Sequence, residues 1–374
     1  MKVKQYISAL VIFIMAMSLC VTGCTSAQGE AENIESESES ESGHVENDTE
    51  DEDEEETYTD VLYDRSIVEG KLAAYFISPP YDYLKWPNTS HAGDSVLFIA
   101  PDGTTMLYDC GTVNQGPVVV CALQALGITK IDYFVISHPH SDHVGGFEVI
   151  LRNFEVGQVY TAAMDEYFVS GDDANARDFM QTVMEMGIPQ SFLYEGDSFT
   201  FGKDVEVKVY NPPVDYPYEL GNYNDQKITY NESSLVLKFI YKDSTYMVGG
   251  DIGNTKAYPT ETMLLEKYGD ELQADVQKAA HHMWSITSTT LSSCDEWIAT
   301  TKAKIYVGQM SSVAEDVTFF KLLDSGAQVL HNGIDGTVLV YTTGDGTYEV
   351  QVENDRITDY YGVLDTVDGH MKVE

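Results

Sequence analysis

Hydrophobic positions along the 374 residues change character twice. A predominantly apolar run, Ile7 to Leu19, follows Lys2 and Lys4. From residue 25 to 60 the apolar periodicity vanishes, and the chain reads Ser36-Glu37-Ser38-Glu39-Ser40-Glu41-Ser42 and then Glu50-Asp51-Glu52-Asp53-Glu54-Glu55-Glu56. Such a stretch has nothing to bury that would offset the entropy of ordering, and its like charges extend it. From Tyr63 onward, apolar runs of strand length alternate with helical periods. Strands are predicted over 71–77, 131–136, 156–161, 275–280, 304–308, 328–331, 337–342 and 347–352, with a further β region over 191–211. Two hairpins are predicted, one around Asp102-Gly103 (95–99 with 105–108) and one around Lys242-Asp243 (234–240 with 245–248). Helices are predicted over 117–127, from about 145, and over 173–187, 258–268, 289–299 and 314–324. In the helix over 173–187, Phe179, Met180, Val183 and Met184 share one face, and Gly187 and Pro189 end it. Strand-rich halves flanked by helices predict a layered α/β sandwich.

Charge sharpens this division. The chain carries −40 overall, and residues 61–374 alone carry −26. A domain this acidic repels a phosphate backbone, which argues against nucleic acid as a partner. The apolar run is too short to read as an ordinary membrane span. Together with Val21-Thr22-Gly23-Cys24 it resembles a bacterial lipoprotein signal. That resemblance implies an exported protein with Cys24 as the lipidated first residue of the mature chain, tethered to the bacterial cell membrane outside the cytoplasm. The domain reading is therefore a signal over 1–24, an acidic linker over 25–60 and one folded domain over 61–374. Cys110, Cys121 and Cys294 show no Cys-x-x-Cys spacing and read as small packed residues.

The chemistry gathers in Ser137-His138-Pro139-His140-Ser141-Asp142-His143-Val144-Gly145-Gly146. Three imidazoles and a carboxylate within six residues, directly after a buried strand, are costly unless a divalent cation offsets their desolvation. Two other segments fit the same purpose: Gly249-Gly250-Asp251-Ile252, after a strand ending at Val248, and His281-His282, after the apolar run over 276–280.

The His-x-His-x-Asp-His pattern resembles the metallo-β-lactamase superfamily, and the motif order resembles its ComEC-like group. The resemblance covers residues 70–345. It rests on Gly93-Asp94-Ser95-Val96-Leu97, Leu107-Tyr108-Asp109-Cys110-Gly111, the histidine loop, Asn231-Glu232-Ser233-Ser234-Leu235, Gly250-Asp251, His281-His282 and Gly333-Ile334-Asp335-Gly336-Thr337. It implies an αββα four-layer sandwich with two mixed β-sheets. It also implies two divalent metal ions, zinc or manganese. His138, His140 and Asp251 would hold one, and Asp142, His143, Asp251 and His282 the other. His281 would face the substrate, although the pair leaves open which histidine is the ligand. The implied catalytic residues are Asp142 and His281. The implied reaction is metal-dependent hydrolysis, with a phosphodiester of small-molecule or envelope origin as the leading substrate.

This chain departs from the pattern in two places. No histidine occurs between residues 144 and 280, so water, Asn231 or Asp225 would complete one metal's shell. Where the group reads His-His-Gly-Ser, this chain reads His281-His282-Met283-Trp284-Ser285. A β-lactamase or lactonase, and a surface protein that keeps the metals and has lost turnover, are the competing readings. His91, His44, His370 and His331 are expected to have no role. Tyr81, Tyr83, Trp86, Tyr216, Tyr218, Tyr223 and Tyr230 are expected to pack in loops rather than cage a quaternary ammonium.

Overall fold

The first strand, β1 (Leu72–Phe76), is followed by a hairpin of β2 (Val96–Ile99) and β3 (Thr105–Tyr108) that turns at Asp102-Gly103. Helix α1 (Gly116–Ala125) leads to β4 (Lys130–Ile136), parallel to β3. Then come the single-turn α2 (Ser141–Val144), α3 (Phe147–Asn153), β5 (Glu155–Thr161), α4 (Ala174–Glu185) and β6 (Gln190–Phe192), with β4, β5 and β6 all parallel. An antiparallel meander follows: β7 (Ser198–Phe201), β8 (Val205–Asn211), β9 (Val236–Tyr241) and β10 (Ser244–Val248). The remainder is β11 (Asn254–Thr255), α5 (Thr260–Tyr268), β12 (Val276–Lys278), β13 (Thr290–Leu291), α6 (Asp295–Thr301), β14 (Ile305–Gly308), α7 (Asp316–Asp324), β15 (Gln328–His331), α8 (Asn332–Asp335), β16 (Val338–Thr342), β17 (Glu349–Val352) and a final hairpin, β18 (Leu364–Val367) with β19 (His370–Val373).

This is a computed structural model. It describes residues 62–78, 93–162, 174–216, 230–255, 258–283, 290–310, 316–353, 364–367 and 370–373. They lie in the second of the chain's two units, Tyr58–Glu374, the first being Met1–Thr57. Cys24, the acidic linker, His44, His91, Tyr81, Tyr83, Trp86, Tyr218, Tyr223, Asp225, Trp284 and Ser285 lie outside the described residues. Among the described residues no helix is long and apolar enough to cross a membrane.

Two mixed sheets form the centre. One has the order β17-β16-β1-β2-β3-β4-β5-β6 and the other β15-β14-β12-β10-β9-β8-β7. Their inner faces meet in one apolar layer that includes Phe98, Tyr108, Val135, Val207, Phe239 and Tyr246, with Phe98 and Phe239 stacked at 4.1 Å between ring centroids. On the outer face of the eight-stranded sheet, Leu97, Leu107, Phe134 and Ile136 pack against Val119 and Leu123 of α1, Phe147 and Ile150 of α3, and Phe179 and Val183 of α4. On the outer face of the seven-stranded sheet, Tyr306 and Val329 pack with Ile298 of α6 and Phe319 and Leu322 of α7, while Met247 packs with Leu264 of α5. Helix, sheet, sheet and helix layers therefore make an αββα sandwich. Burial on both faces explains why β1, β2 and β3 read as continuous apolar runs rather than alternating ones.

Two expectations need correction. Met184 is 59% exposed, so the apolar face of α4 is carried by Phe179, Met180 and Val183. The helix expected over 289–299 is the short strand β13 followed by α6. Ser293 adopts φ +54°, and the Glu261 carboxylate accepts the backbone N–H groups of Ser293 (2.6 Å) and Cys294 (2.9 Å), so helical geometry starts only beyond them. The helix expected from about 145 is α3, which starts at Phe147 behind Gly146, and a further single turn, α2, precedes the Gly145-Gly146 pair. A Cβ on Gly146 would meet the Cys110 carbonyl and lie 2.9 Å from Gly116 Cα, so only glycine lets α1 and this loop approach so closely. Cys110, Cys121 and Cys294 remain thiols.

Candidate metal centre

Strand ends converge at one edge of the sandwich. The histidine loop leaves β4, Asp109 follows β3, Asp94 lies just ahead of β2, Asp251 follows β10, and His281-His282 follow β12. The two sheets are joined here: Leu235 N–H donates to Ser137 O at 3.0 Å, and Tyr108 Oη–H donates to Leu235 O at 2.7 Å. Gly250, at φ +52°, leaves no room for a side chain between the Ser137 and Ser234 hydroxyls, each 2.8 Å from the position a Cβ would take. Asp251 is turned inward by that bend, and its N–H donates to Ser234 Oγ at 3.1 Å.

The structure brings His138, His140, Asp142, His143, Asp251, His281 and His282 together. His138 Nε2 lies 3.0 Å from His140 Nδ1 and 3.9 Å from Asp251 Oδ2. His143 Nε2 lies 3.3 Å from Asp251 Oδ1 and 4.0 Å from Asp142 Oδ1. His282 Nε2 is 3.3 Å from both Asp142 Oδ2 and Asp251 Oδ2. His281 stands farther off, its Nε2 3.9 Å from Asp251 Oδ2 and 3.4 Å from the side-chain nitrogen of Asn231. Tyr230 closes over His140, with 5.7 Å between ring centroids, and Tyr216 is buried against Tyr258. His331 ends β15 and accepts the Gly333 N–H, so it caps α8.

Two groups of donor atoms lie within 4.8 Å of one another: His138, His140 and Asp251, and Asp94, His143, Asp251 and His282. Asp251 belongs to both. His143 Nε2, His282 Nε2 and Asp251 Oδ1 are buried without a hydrogen-bond partner among the described residues. Buried polar atoms are rarely left so. Lone pairs of imidazole and carboxylate aimed into one small volume fit a divalent cation.

Electrostatics give the same picture. Burial works against a charged His143, yet Asp251, Asp109 and Asp94 around it push its pKa up to about 10. Burial likewise opposes a charge on His282, and Asp251 and Asp94 raise it well above the ordinary histidine value. Burial would raise Asp251 and Asp142, but His282 and His143 pull both down. Burial, with His143 and His140 nearby, holds His138 well below the usual range, and burial also lowers His281. In the metal-free protein, protons on His143 and His282 occupy the place of cationic charge, so protons and metal compete for these nitrogens.

Sequence reasoning assigned no role to the groups behind the imidazoles. Asp109 Oδ2 accepts His143 Nδ1–H at 2.8 Å and the Ser137 hydroxyl at 2.7 Å, while its Oδ1 accepts the Ser137 N–H at 2.7 Å. His282 Nδ1 faces Gln309 O at 3.2 Å and Asp94 Oδ1 at 3.0 Å. Each imidazole thus commits Nδ1 to the protein and turns Nε2 to the cavity, as expected of histidines that hold metal. The Lys278 ammonium is fully buried, paired with Asp94 Oδ2, and donates to Gly250 O at 2.8 Å. Ala280-His281-His282-Met283 forms a tight turn in which His281, His282 and Met283 have φ of +51°, +55° and +66°. For residues other than glycine each such conformation costs roughly 1–2 kcal/mol. Strain of this kind persists where the surroundings over-determine it, and here it aims two adjacent imidazoles at one cavity.

Comparison with known proteins agrees in kind. A family model described as the metallo-beta-lactamase superfamily matches residues 92–220. Competence protein ComA of Neisseria gonorrhoeae is 29% identical over 178 residues, which is 47% of this chain and 20% of that protein. ComE operon protein 3 of Bacillus subtilis (strain 168) is 25% identical over 173 residues, 44% of this chain and 19% of that protein. The chain thus spans about a fifth of the length of these curated relatives. Among solved structures, Rm3 metallo-beta-lactamase aligns over 51% of this chain and 72% of its own, at 19% identity and a TM-score of 0.35.

Proposed function

We propose, from the family model that matches residues 92–220 and the two competence-protein relatives, that the chain is a ComEC-like member of the metallo-β-lactamase superfamily and an exported, lipid-anchored hydrolase that cleaves phosphodiesters with two bound divalent cations. The observation that carries the reading is the buried cluster in which His143 Nε2, His282 Nε2 and Asp251 Oδ1 face one another without a hydrogen-bond partner among the described residues. His138, His140 and Asp251 would hold one cation, and Asp142, His143, Asp251 and His282 the other. Imidazole and carboxylate donors suit zinc, and the oxygen share also admits manganese. When bound, such a pair polarises the phosphoryl group and makes water nucleophilic at neutral pH.

The chain's own residues do the rest. Asp251 would be shared by the two cation positions because its Oδ1 faces His143 of one group and its Oδ2 faces His138 of the other. Asp142 lies at the open side, its side chain 31% exposed, where it meets both solvent and the cavity. His281 stands to one side with its side chain 15% exposed and Nε2 toward the cavity. Burial keeps it below the ordinary histidine range, so at neutral pH it is a neutral imidazole suited to hydrogen-bond a phosphoryl oxygen. The −26 charge of residues 61–374 favours a small or envelope-derived ester over nucleic acid. Lys2, Lys4, the apolar run to Leu19 and Cys24 support export and anchoring.

The test is hydrolysis of bis-p-nitrophenyl phosphate by the purified full chain, with metal content measured in parallel. We expect one to two transition-metal ions per chain, and turnover that Asp142→Ala abolishes while circular dichroism and melting stay near wild type. Full activity in that variant would rule out the mechanism. Faster turnover of nitrocefin or a lactone would move the assignment to that substrate class.

A further inference from the structure

Lys278 is the one described lysine whose side chain is fully buried among the titratable groups of the metal centre. Its ammonium pairs with Asp94 Oδ2, donates to Gly250 O at 2.8 Å and lies 3.6 Å from Asp251 Oδ1. Asp94 is fully buried as well, and its donor atoms sit within 4.8 Å of those of His143, Asp251 and His282. By distance alone Asp94 could be a metal ligand. A third carboxylate on that cation would also occupy a coordination position that a catalytic site must keep clear of protein.

We propose that Lys278 is a positioning residue that withholds Asp94 from the metal. Its ammonium claims one carboxylate oxygen, and the other faces His282 Nδ1. Asp94 therefore orients an imidazole from behind instead of entering the coordination sphere. The same ammonium holds Gly250 O, and Gly250 O also accepts His281 N–H at 3.2 Å. One buried cation thereby fastens the segment carrying Asp94, the turn carrying Asp251 and the turn carrying His281-His282. This inference rests on the metal-dependent reading above.

The geometry has a clear consequence for substitution. With Lys278→Met, Asp94 loses its counter-charge in a low-dielectric interior, where an unpaired carboxylate is costly. His282 Nδ1 still faces one oxygen, but the oxygen that Lys278 held is released, and a divalent cation nearby is the strongest charge it can turn to.

The experiment uses the full chain loaded with cobalt(II), whose visible absorption weakens as coordination number rises, together with zinc affinity from chelator competition. Lys278→Met should weaken the cobalt absorption, raise zinc affinity at one site about tenfold or more and lower turnover. Second-layer changes commonly move metal affinity by 10–100-fold. Lys278→Met/Asp94→Asn, which removes both charges, should return spectrum and affinity toward wild type. Asp94→Asn alone should not strengthen the cobalt absorption, as loss of a ligand would, and this arm stands even if Lys278→Met does not fold. A wild-type spectrum and affinity in Lys278→Met, the same change persisting in the double variant, or a strengthened absorption in Asp94→Asn would each overturn the proposal. Failure of the wild-type chain to bind cobalt or zinc at all would remove the metal-dependent reading itself, and this inference with it.

Discussion

Met283 Sδ lies 2.6 Å from the position a Cβ would take on Gly308, and Met283 Cε lies 2.7 Å from it. The methionine that follows His281-His282 therefore fills the space left by a glycine on the neighbouring strand β14. Met283 is buried, at φ +66°, in the layer with Tyr306, Phe319 and Val329. Packing of this side chain is one of the contacts that hold the strained turn. Gly308→Ala should destabilise the domain by about 1–3 kcal/mol, the usual range for overpacking. Met283→Ala vacates the same space and should offset part of that loss. Urea melts of the two single variants and the double variant should show a favourable coupling of at least ~0.5 kcal/mol. Strictly additive losses would show that the two positions do not share this space.

Asp109 accepts three hydrogen bonds, from the Ser137 N–H, the Ser137 hydroxyl and His143 Nδ1. Asp109→Asn turns one acceptor into a donor facing other donors. We expect a stability loss of about 1–3 kcal/mol and zinc binding weaker by about 10–100-fold. Chelator competition and chemical melts separate the two effects. Unchanged zinc affinity would mean that His143 needs no orienting carboxylate.

Many elements were legible because central strands are buried on both faces. Runs such as Leu72–Phe76 and Val96–Ile99 then stand out as strands without any alternation to decode. The ligand-type residues were legible because histidines crowd the loop after β4 and because Asp251 and His281-His282 sit at strand ends. The layer behind them was not. Asp94 and Asp109 are single carboxylates beside apolar strands, where a turn aspartate is the ordinary reading. Lys278 ends a strand, a place where lysine is usually solvated. Only the meeting of β2, β3 and β12 at one edge shows that these three charges face one another. Met184 was misplaced because helical period puts it one turn beyond Met180, but the rotation of α4 leaves it in solvent.

Glu261 offers a test of stability against pH, away from the metal centre. Burial pushes its pKa up to about 7, opposed by the backbone N–H groups of Cys294 and Ser293 that it accepts. The folded state therefore holds this proton more tightly than the unfolded chain does. The stabilisation is complete below the ordinary value of 4.5 and is lost as pH rises through about 7. The shift corresponds to about 3 kcal/mol across that window. Glu261→Gln should remove this slope, so the stability gap between wild type and variant should narrow or reverse from pH 4.5 to 7. Denaturant melts at several pH values check it, and parallel profiles for the two proteins would contradict it.

Asp251 belongs to both groups of donor atoms, whereas His140 belongs to one. Losing Asp251 should therefore affect both cation positions, and losing His140 only one. We expect Asp251→Asn to retain little metal after dialysis and His140→Ala to retain one tightly held ion. Binding to the folded state alone stabilises it by about 2.7 kcal/mol at a free ion concentration a hundred times Kd. Wild type should accordingly melt several degrees lower in chelator than with zinc. The shift should shrink in His140→Ala and nearly vanish in Asp251→Asn. Elemental analysis with thermal melts of the full chain checks this ordering. An Asp251→Asn protein that keeps two ions would show that the two positions do not share a carboxylate, because each ion would then be held by its own imidazoles and Asp142 without the spacing that only Asp251 supplies.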